Sequence, residues 1–293
     1  MSRNRNQKPS PKARPWPIIL LMSAVVLAFA AFWFLRADAP PAAQRPVSPS
    51  QVQAAAANSP GAPERLRVKV VSVRPHDKTA YTQGLLIDGG ALYESTGLYG
   101  GSSVRLVDPA TGELKRSRTV PQEYFAEGLA LVDGRLIQLT WQERKALVYN
   151  VADFQPVAEF RYDGEGWGLC WDGKRLVMSD GSSRLTFRDA KTFAVTGSVG
   201  VTLAGQPMDR LNELECVDGV IYANVWQSDD ILRIDPRDGR VTAVIDASGL
   251  LPPEERRMVD VLNGIAWDPA KKTFLITGKL WPKMFEVTFV PVS

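Results

Sequence analysis

Gln83-Gly-Leu-Leu-Ile-Asp-Gly89 and Glu127-Gly-Leu-Ala-Leu-Val-Asp-Gly134 are one short phrase written twice. It returns as Trp167-Gly-Leu-Cys-Trp-Asp-Gly173, Asn212-Glu-Leu-Glu-Cys-Val-Asp-Gly219 and Asn263-Gly-Ile-Ala-Trp-Asp-Pro269, with starts 44, 40, 45 and 51 residues apart. Each copy is a short β-type run closed by a turn signal: Asp88-Gly89, Asp133-Gly134, Asp172-Gly173, Asp218-Gly219 or Asp268-Pro269. Asp-Gly supplies the positive φ angles of a tight hairpin turn. A second strand is predicted after each turn, over Ala91–Glu94, Arg135–Thr140, Arg175–Ser179, Val220–Val225 and Thr273–Thr277. A third run leads into further turns such as Asp108-Pro-Ala-Thr-Gly112 and Asp235-Pro-Arg-Asp-Gly239. Four strands per unit at a period of roughly 40–50 residues is the pattern of propeller blades. The last unit ends one strand short after Met284–Val290, and Leu66–Arg74 stands unassigned before the first. Pairing those two would close a ring and remove an exposed sheet edge. The expected fold is therefore all-β, a five-bladed β-propeller over residues 65–293. An open β-sandwich has similar strand content but does not require the period.

Working outward, the N-terminal part has a different chemistry. Ile18 to Leu35 is apolar except for Ser23, with Trp16 and Trp33 near its ends. As a helix rising about 1.5 Å per residue it spans roughly 27 Å, close to a hydrocarbon core. Five cations precede it (Arg3, Arg5, Lys8, Lys12, Arg14), which puts the N-terminus on the cytoplasmic side and the rest outside. The expected organisation is a basic cytoplasmic tail over 1–17, a transmembrane signal anchor over 18–35 and a linker over 36–64. Six prolines and nine alanines between Ala37 and Glu64 make that linker a semi-rigid tether. The catalytic domain would then be extracytoplasmic, and periplasmic in a Gram-negative bacterium. The alternative is a secreted chain, cleaved near Ala37-Asp38-Ala39.

The formal charge of +3 belongs to the tail: six cations and no acid within 1–36 contribute +6, which leaves 3 − 6 = −3 for the remainder. No nucleic-acid-binding body is indicated. With His76 the single histidine, multi-histidine metal sites are excluded, and no cofactor is expected. Cys170 and Cys216 do not make a disulfide scaffold; the expectation is two small buried hydrophobes, unless neighbouring elements bring them together to pair.

Propeller geometry also says where chemistry would sit. The inner strands open with Gln83, Glu127, Trp167, Asn212 and Asn263, and the second strands close at the same mouth with Glu94, Trp141, Asp180, Trp226 and Lys279. One rim would thus gather carboxylates, carboxamides, a lysine and three tryptophans, as a binding cavity requires. Each has a bland reading beside it. Tryptophans pack between blades, asparagines form turns, and Glu94 can bond the backbone of Ser95-Thr96-Gly97. Glu127, after Tyr124-Phe125, and Lys279, before Leu280-Trp281, are harder to explain structurally, because burying a charge is costly.

Several longer phrases carry a specific resemblance: Tyr81-Thr-Gln-Gly-Leu85, Glu94-Ser-Thr-Gly-Leu-Tyr-Gly100, Tyr124-Phe-Ala-Glu-Gly-Leu129, Gly166-Trp-Gly-Leu169, Leu211-Asn-Glu-Leu-Glu215, Ala223-Asn-Val-Trp226, Leu262-Asn-Gly-Ile265 and Thr277-Gly-Lys-Leu-Trp-Pro282. Across residues 68–290, in order, the chain resembles the glutamine cyclotransferase family of plants and bacteria. The resemblance implies a five-bladed propeller and metal-independent closure of N-terminal glutamine to pyroglutamate on a peptide or protein substrate, with release of ammonia. It implies Glu127 as acid/base and Gln83, Asn212 and Lys279 around the carboxamide, the catalytic set being Glu127, Lys279 and Asn212. Phe125, Trp141, Trp167 and Trp226 would form the wall, with Tyr81, Glu94 and Asn263 completing the substrate site. Tyr81 stands where the family more often has Phe, and Ala126 where Gly is common; neither removes a proposed catalytic group. The rival readings are a calcium-dependent lactonase-type propeller and a non-catalytic tethered binding propeller.

Overall fold

The computed structural model describes residues 61–292, so the expected tail and membrane span, and most of the linker, lie outside the described residues. Among the described residues no helix is long and apolar enough to cross a membrane. The regular structure here is almost entirely strand. β1 (Glu64–Pro75) is followed by the sheet β2 (Thr82–Asp88), β3 (Ala91–Thr96), β4 (Ser103–Val107) and β5 (Leu114–Thr119). A second sheet holds β6 (Ala126–Val132), β7 (Arg135–Thr140), β8 (Lys145–Asn150) and β9 (Pro156–Arg161). A third holds β10 (Leu169–Trp171), β11 (Leu176–Met178), β12 (Arg184–Arg188) and β13 (Val195–Gly200). A small hairpin, β14 (Thr202–Leu203) and β15 (Gln206–Pro207), comes next. Then follow β16 (Leu211–Val217), β17 (Val220–Val225), β18 (Asp230–Ile234) and β19 (Val241–Asp246). A single helical turn, α1 (Pro253–Arg256), leads to β20 (Leu262–Asp268), β21 (Thr273–Gly278) and β22 (Lys283–Pro291).

Each of the three four-stranded sheets is a blade-like antiparallel meander. The first strands meet one another in a closed cycle: β2 touches β6, β6 touches β10, β10 touches β16, β16 touches β20, and β20 returns to β2. The N-terminal strand joins the end of the chain, β1 pairing antiparallel with β22 from Leu66↔Pro291 to Pro75↔Lys283. It also pairs parallel with β19 over Glu64–Arg67, a contact the sequence did not suggest, and this fuses the last two groups into one eight-stranded sheet. The apolar core lies between neighbouring sheets. Ala130, Ile137 and Val148 pack with Leu169, Leu176 and Phe193, while Val177 and Leu185 pack with Leu214, Ile221 and Leu232.

The turns differ in form from one copy to the next. Asp133-Gly134 and Asp218-Gly219 form two-residue hairpin loops with positive φ at both positions. In the first sheet the corresponding pair is Gly89-Gly90, because Asp88 still pairs with Ala91. Asp172 and Asp268 instead open four-residue loops, each Oδ1 accepting two backbone N–H groups ahead of it. An aspartate starts a turn in all of these, by side-chain hydrogen bonding as often as by backbone angle.

One expectation is overturned. Cys170 on β10 and Cys216 on β16 form a disulfide, their Cα atoms 5.6 Å apart. The two strands are neighbours in the inner cycle, so the adjacent elements that pairing needs are present.

Candidate active site

The recurring phrase has a physical logic at each position. Its first residue sits in a break of ladder register, between Thr82 and Gly84, Ala126 and Leu129, Leu211 and Leu214, or Leu262 and Ile265. A bulge of this kind re-aims the side chain it carries, here Gln83, Glu127, Asn212 and Asn263. In the first three copies the second residue is glycine because the next inner strand comes too close for a side chain. A Cβ on Gly84 would stand 2.6 Å from Leu129 N, one on Gly128 2.5 Å from Leu169 N, and one on Gly168 2.1 Å from Asn212 O. The third is a core residue: Leu85, Leu129, Leu169, Leu214 and Ile265 are all 1% exposed or less.

At one mouth of the cycle lies a cavity of about 330 Å³ lined by Tyr81, Gln83, Phe125, Glu127, Trp141, Trp167, Asn212, Trp226 and Lys279. Nine of the eleven expected site residues therefore meet around one space. Aromatic rings form its wall. Tyr81 meets Phe125 edge-on with centroids 6.1 Å apart, Phe125 meets Trp141 at 5.7 Å, and Trp167 meets Trp226 at 5.8 Å.

The polar groups converge from below. Glu127 is 5% exposed, and its Oε1 accepts a 3.0 Å hydrogen bond from Gln83 Nε2. Gln83 is itself oriented by Asn263, whose Nδ2 donates to Gln83 Oε1 and to the Thr82 carbonyl. Burial holds the Glu127 carboxyl well above the ordinary carboxylate range; Lys279 opposes that, and Glu165 and Glu143 add to it. Lys279 is 4% exposed, and burial lowers its pKa against the pull of Glu127 and Asp260. Its Nζ lies 4.9 Å from the Tyr81 ring centre. The ring is fixed by a 2.8 Å bond from its hydroxyl to Asp260 Oδ2. Asn212 presents an Oδ1 that is buried without a hydrogen-bond partner, an acceptor that a bound donor could satisfy.

Two expected site residues are placed elsewhere. Glu94, 1% exposed, does not line the cavity. It accepts from Thr82 Oγ1 at 2.7 Å and pairs with His76 Nε2 at 3.0 Å, while His76 Nδ1 lies 2.7 Å from the Trp281 carbonyl. Glu94 thus ties the end of β1 to the first and last sheets, because a carboxylate buried there needs a partner. Asn263 likewise stands behind Gln83, outside the lining.

The family description "glutamine cyclotransferase" matches residues 45–289. The chain belongs to the glutamine cyclotransferase family. It is 44% identical over 231 residues to a protein of Arabidopsis thaliana named glutaminyl-peptide cyclotransferase, covering 77% of this chain and 72% of the plant protein. The crystal structure of Myxococcus xanthus glutaminyl cyclase superposes with a TM-score of 0.72 at 41% identity, over 79% of this chain and 100% of that one.

In this cyclotransferase-family chain, sequence reasoning passed over several acids near the cavity. Glu165, Glu143 and Asp260 lie in loops outside the repeated phrase. Glu213 occupies the glycine position of the fourth copy. Its carboxylate reaches across the cycle to accept Leu85 N at 3.2 Å and Ile265 N at 2.8 Å. The one available signal was that Glu213 breaks an otherwise regular glycine pattern.

Proposed function

We propose that this chain is a glutaminyl-peptide cyclotransferase, an acyltransferase that closes the N-terminal glutamine of peptides or proteins to pyroglutamate. The observation that carries the chemistry is Glu127: a buried carboxyl with a raised pKa, held by Gln83, within a tryptophan-walled cavity. In the reaction the free α-amine attacks its own γ-carboxamide carbon. A C–N bond forms, a lactam ring closes, and the carboxamide nitrogen leaves as ammonia. The flat aromatic wall holds the side chain folded over the amine, the largest saving in an intramolecular reaction. Glu127 takes a proton from the amine and delivers one to the departing nitrogen, a role worth about 10²–10⁴-fold. A pKa raised above the ordinary carboxylate range suits a group that must both accept and donate. Lys279 and Asn212 face the carboxamide: the ammonium stabilises charge on the carbonyl oxygen, and the orphan Asn212 Oδ1 accepts from a substrate N–H. The reaction needs no metal in this scheme.

Two further readings belong to the proposal. The closed cycle of inner strands and the β1–β22 pairing support a five-bladed propeller. A signal anchor over 18–35 would hold it outside the cytoplasm, and the Cys170–Cys216 disulfide supports an oxidising compartment.

The test is ammonia release from a Gln-initiated dipeptide by the purified protein, with and without EDTA, beside Glu127→Gln. Release indifferent to chelator and reduced at least 10²-fold in a variant with unchanged melting temperature is expected. Wild-type turnover in Glu127→Gln would remove the proton-transfer role, and no release from the folded wild type would remove the reaction itself.

A further inference from the structure

The aromatic wall is built in two separate pieces. Tyr81, Phe125 and Trp141 form one run of edge-on contacts, and Trp167 with Trp226 forms the other. No ring pair joins Trp141 to Trp167. What joins them is a carboxylate: Glu165 Oε2 accepts the indole N–H of Trp141 at 2.8 Å and that of Trp167 at 3.0 Å. Its Oε1 accepts from Gln142 Nε2 at 3.0 Å. The backbone supports the arrangement. Gly166 N donates to the Trp141 carbonyl at 2.9 Å, and a Cβ at Gly166 would strike the Tyr162 hydroxyl, so this short loop has one way to lie.

We propose that Glu165 is a positioning residue of the cyclisation site, which sets the two indoles, of Trp141 and Trp167, that hold the glutamine side chain folded. The inference rests on the cyclotransferase reading of the cavity. Indole N–H is a donor without an acceptor face, so two tryptophans cannot orient each other in the plane of their rings. A shared charged acceptor can, with hydrogen bonds stronger than neutral ones. The same charge acts through space: it is one of the groups that raise the Glu127 pKa, after burial and against Lys279. Glu143 acts alongside it, held on the Tyr99 hydroxyl and the Phe125 amide.

Two variants of the whole protein separate these effects, each beside wild type. Glu165→Gln keeps a side-chain oxygen for both indoles and loses the charge. We expect near wild-type KM and near-ultraviolet circular dichroism, with the acid limb of the kcat/KM profile moved to lower pH: without a negative neighbour Glu127 ionises more easily, and the basic form persists further into acid. Glu165→Ala loses both roles. We expect altered indole dichroism and kcat/KM lower by on the order of tenfold or more at the pH optimum, since small misplacements of bound groups are costly. If Glu165→Ala keeps wild-type dichroism and kinetics, the positioning role is overturned. An unmoved acid limb in Glu165→Gln overturns the electrostatic one. Should Glu165→Ala fail to fold, Trp141→Phe and Trp167→Phe replace it; these remove one indole donor each, and an unchanged kcat/KM in both overturns the positioning role. Inactive wild type would instead refute the cyclotransferase reading, which the parallel assay detects directly.

Discussion

At the scale of single residues, the site is a stack of hydrogen bonds with one direction. Asn263 holds Gln83, and Gln83 holds Glu127. Gln83→Ala should leave the fold intact and lower kcat/KM by roughly 10- to 100-fold, because Glu127 loses the donor that aims it while keeping its burial; steady-state kinetics beside a melting curve checks this. Much of the site was legible in the sequence, since a repeated phrase marks its own first residues and the propeller pattern says which mouth they share. Glu94 was misread for a physical reason. Its strand runs on to Thr96, so Glu94, opposite Leu85 as Gln138 is opposite Leu129, lies inside the sheet, where His76, 18 positions earlier and outside every repeat, supplies its partner. Glu165 and Asp260 were invisible for the converse reason: their roles depend on where loops of different length fold back, and loop length carries no periodic signal.

At the scale of elements, Gly84, Gly128 and Gly168 are what let neighbouring inner strands approach one another. Gly168 is the tightest case, its missing Cβ lying 2.1 Å from the Asn212 carbonyl oxygen. Gly168→Ala should cost about 1–3 kcal/mol by overpacking and should also displace Asn212, so chemical denaturation and KM would both respond. An unchanged midpoint would mean that the inner strands can spread at little cost. The strand positions were foreseeable from alternation and turn residues: Arg135–Thr140 and Val220–Val225 are found with the expected bounds. The β14–β15 hairpin, the α1 turn and the parallel β1–β19 contact were not, because each is short and is settled by packing rather than by local pattern.

At the scale of the whole molecule, two features join sheets that backbone pairing alone does not. The Cys170–Cys216 disulfide ties neighbouring inner strands across 46 residues of sequence. Reducing it should lower stability by roughly 2–4 kcal/mol, read as a drop in melting temperature with dithiothreitol that Cys170→Ser with Cys216→Ser reproduces. The second feature is the pair of acids on β16. Glu215, bonded to Trp267 N, is pushed up from 4.5 to about 8 by burial, and Glu213 is raised as well, by burial and by Glu215. Between those two values the folded form keeps a proton that the unfolded chain releases, so stability should fall as pH rises from about 5 to 8. Glu215→Gln should flatten that slope by one proton in denaturant titrations; an unaltered slope would show that Glu215 does not carry it. The β1–β22 pairing has a consequence in time. β1 leaves the ribosome before every other strand described here, yet its partners, β19 and β22, begin at Val241 and Lys283. An early strand must therefore wait, solvated and unpaired, through the synthesis of some 200 residues, and long-range closure of this kind is slow. A chain stopped only a dozen residues early would carry every residue of the cavity and still lack the strand against which its first one closes.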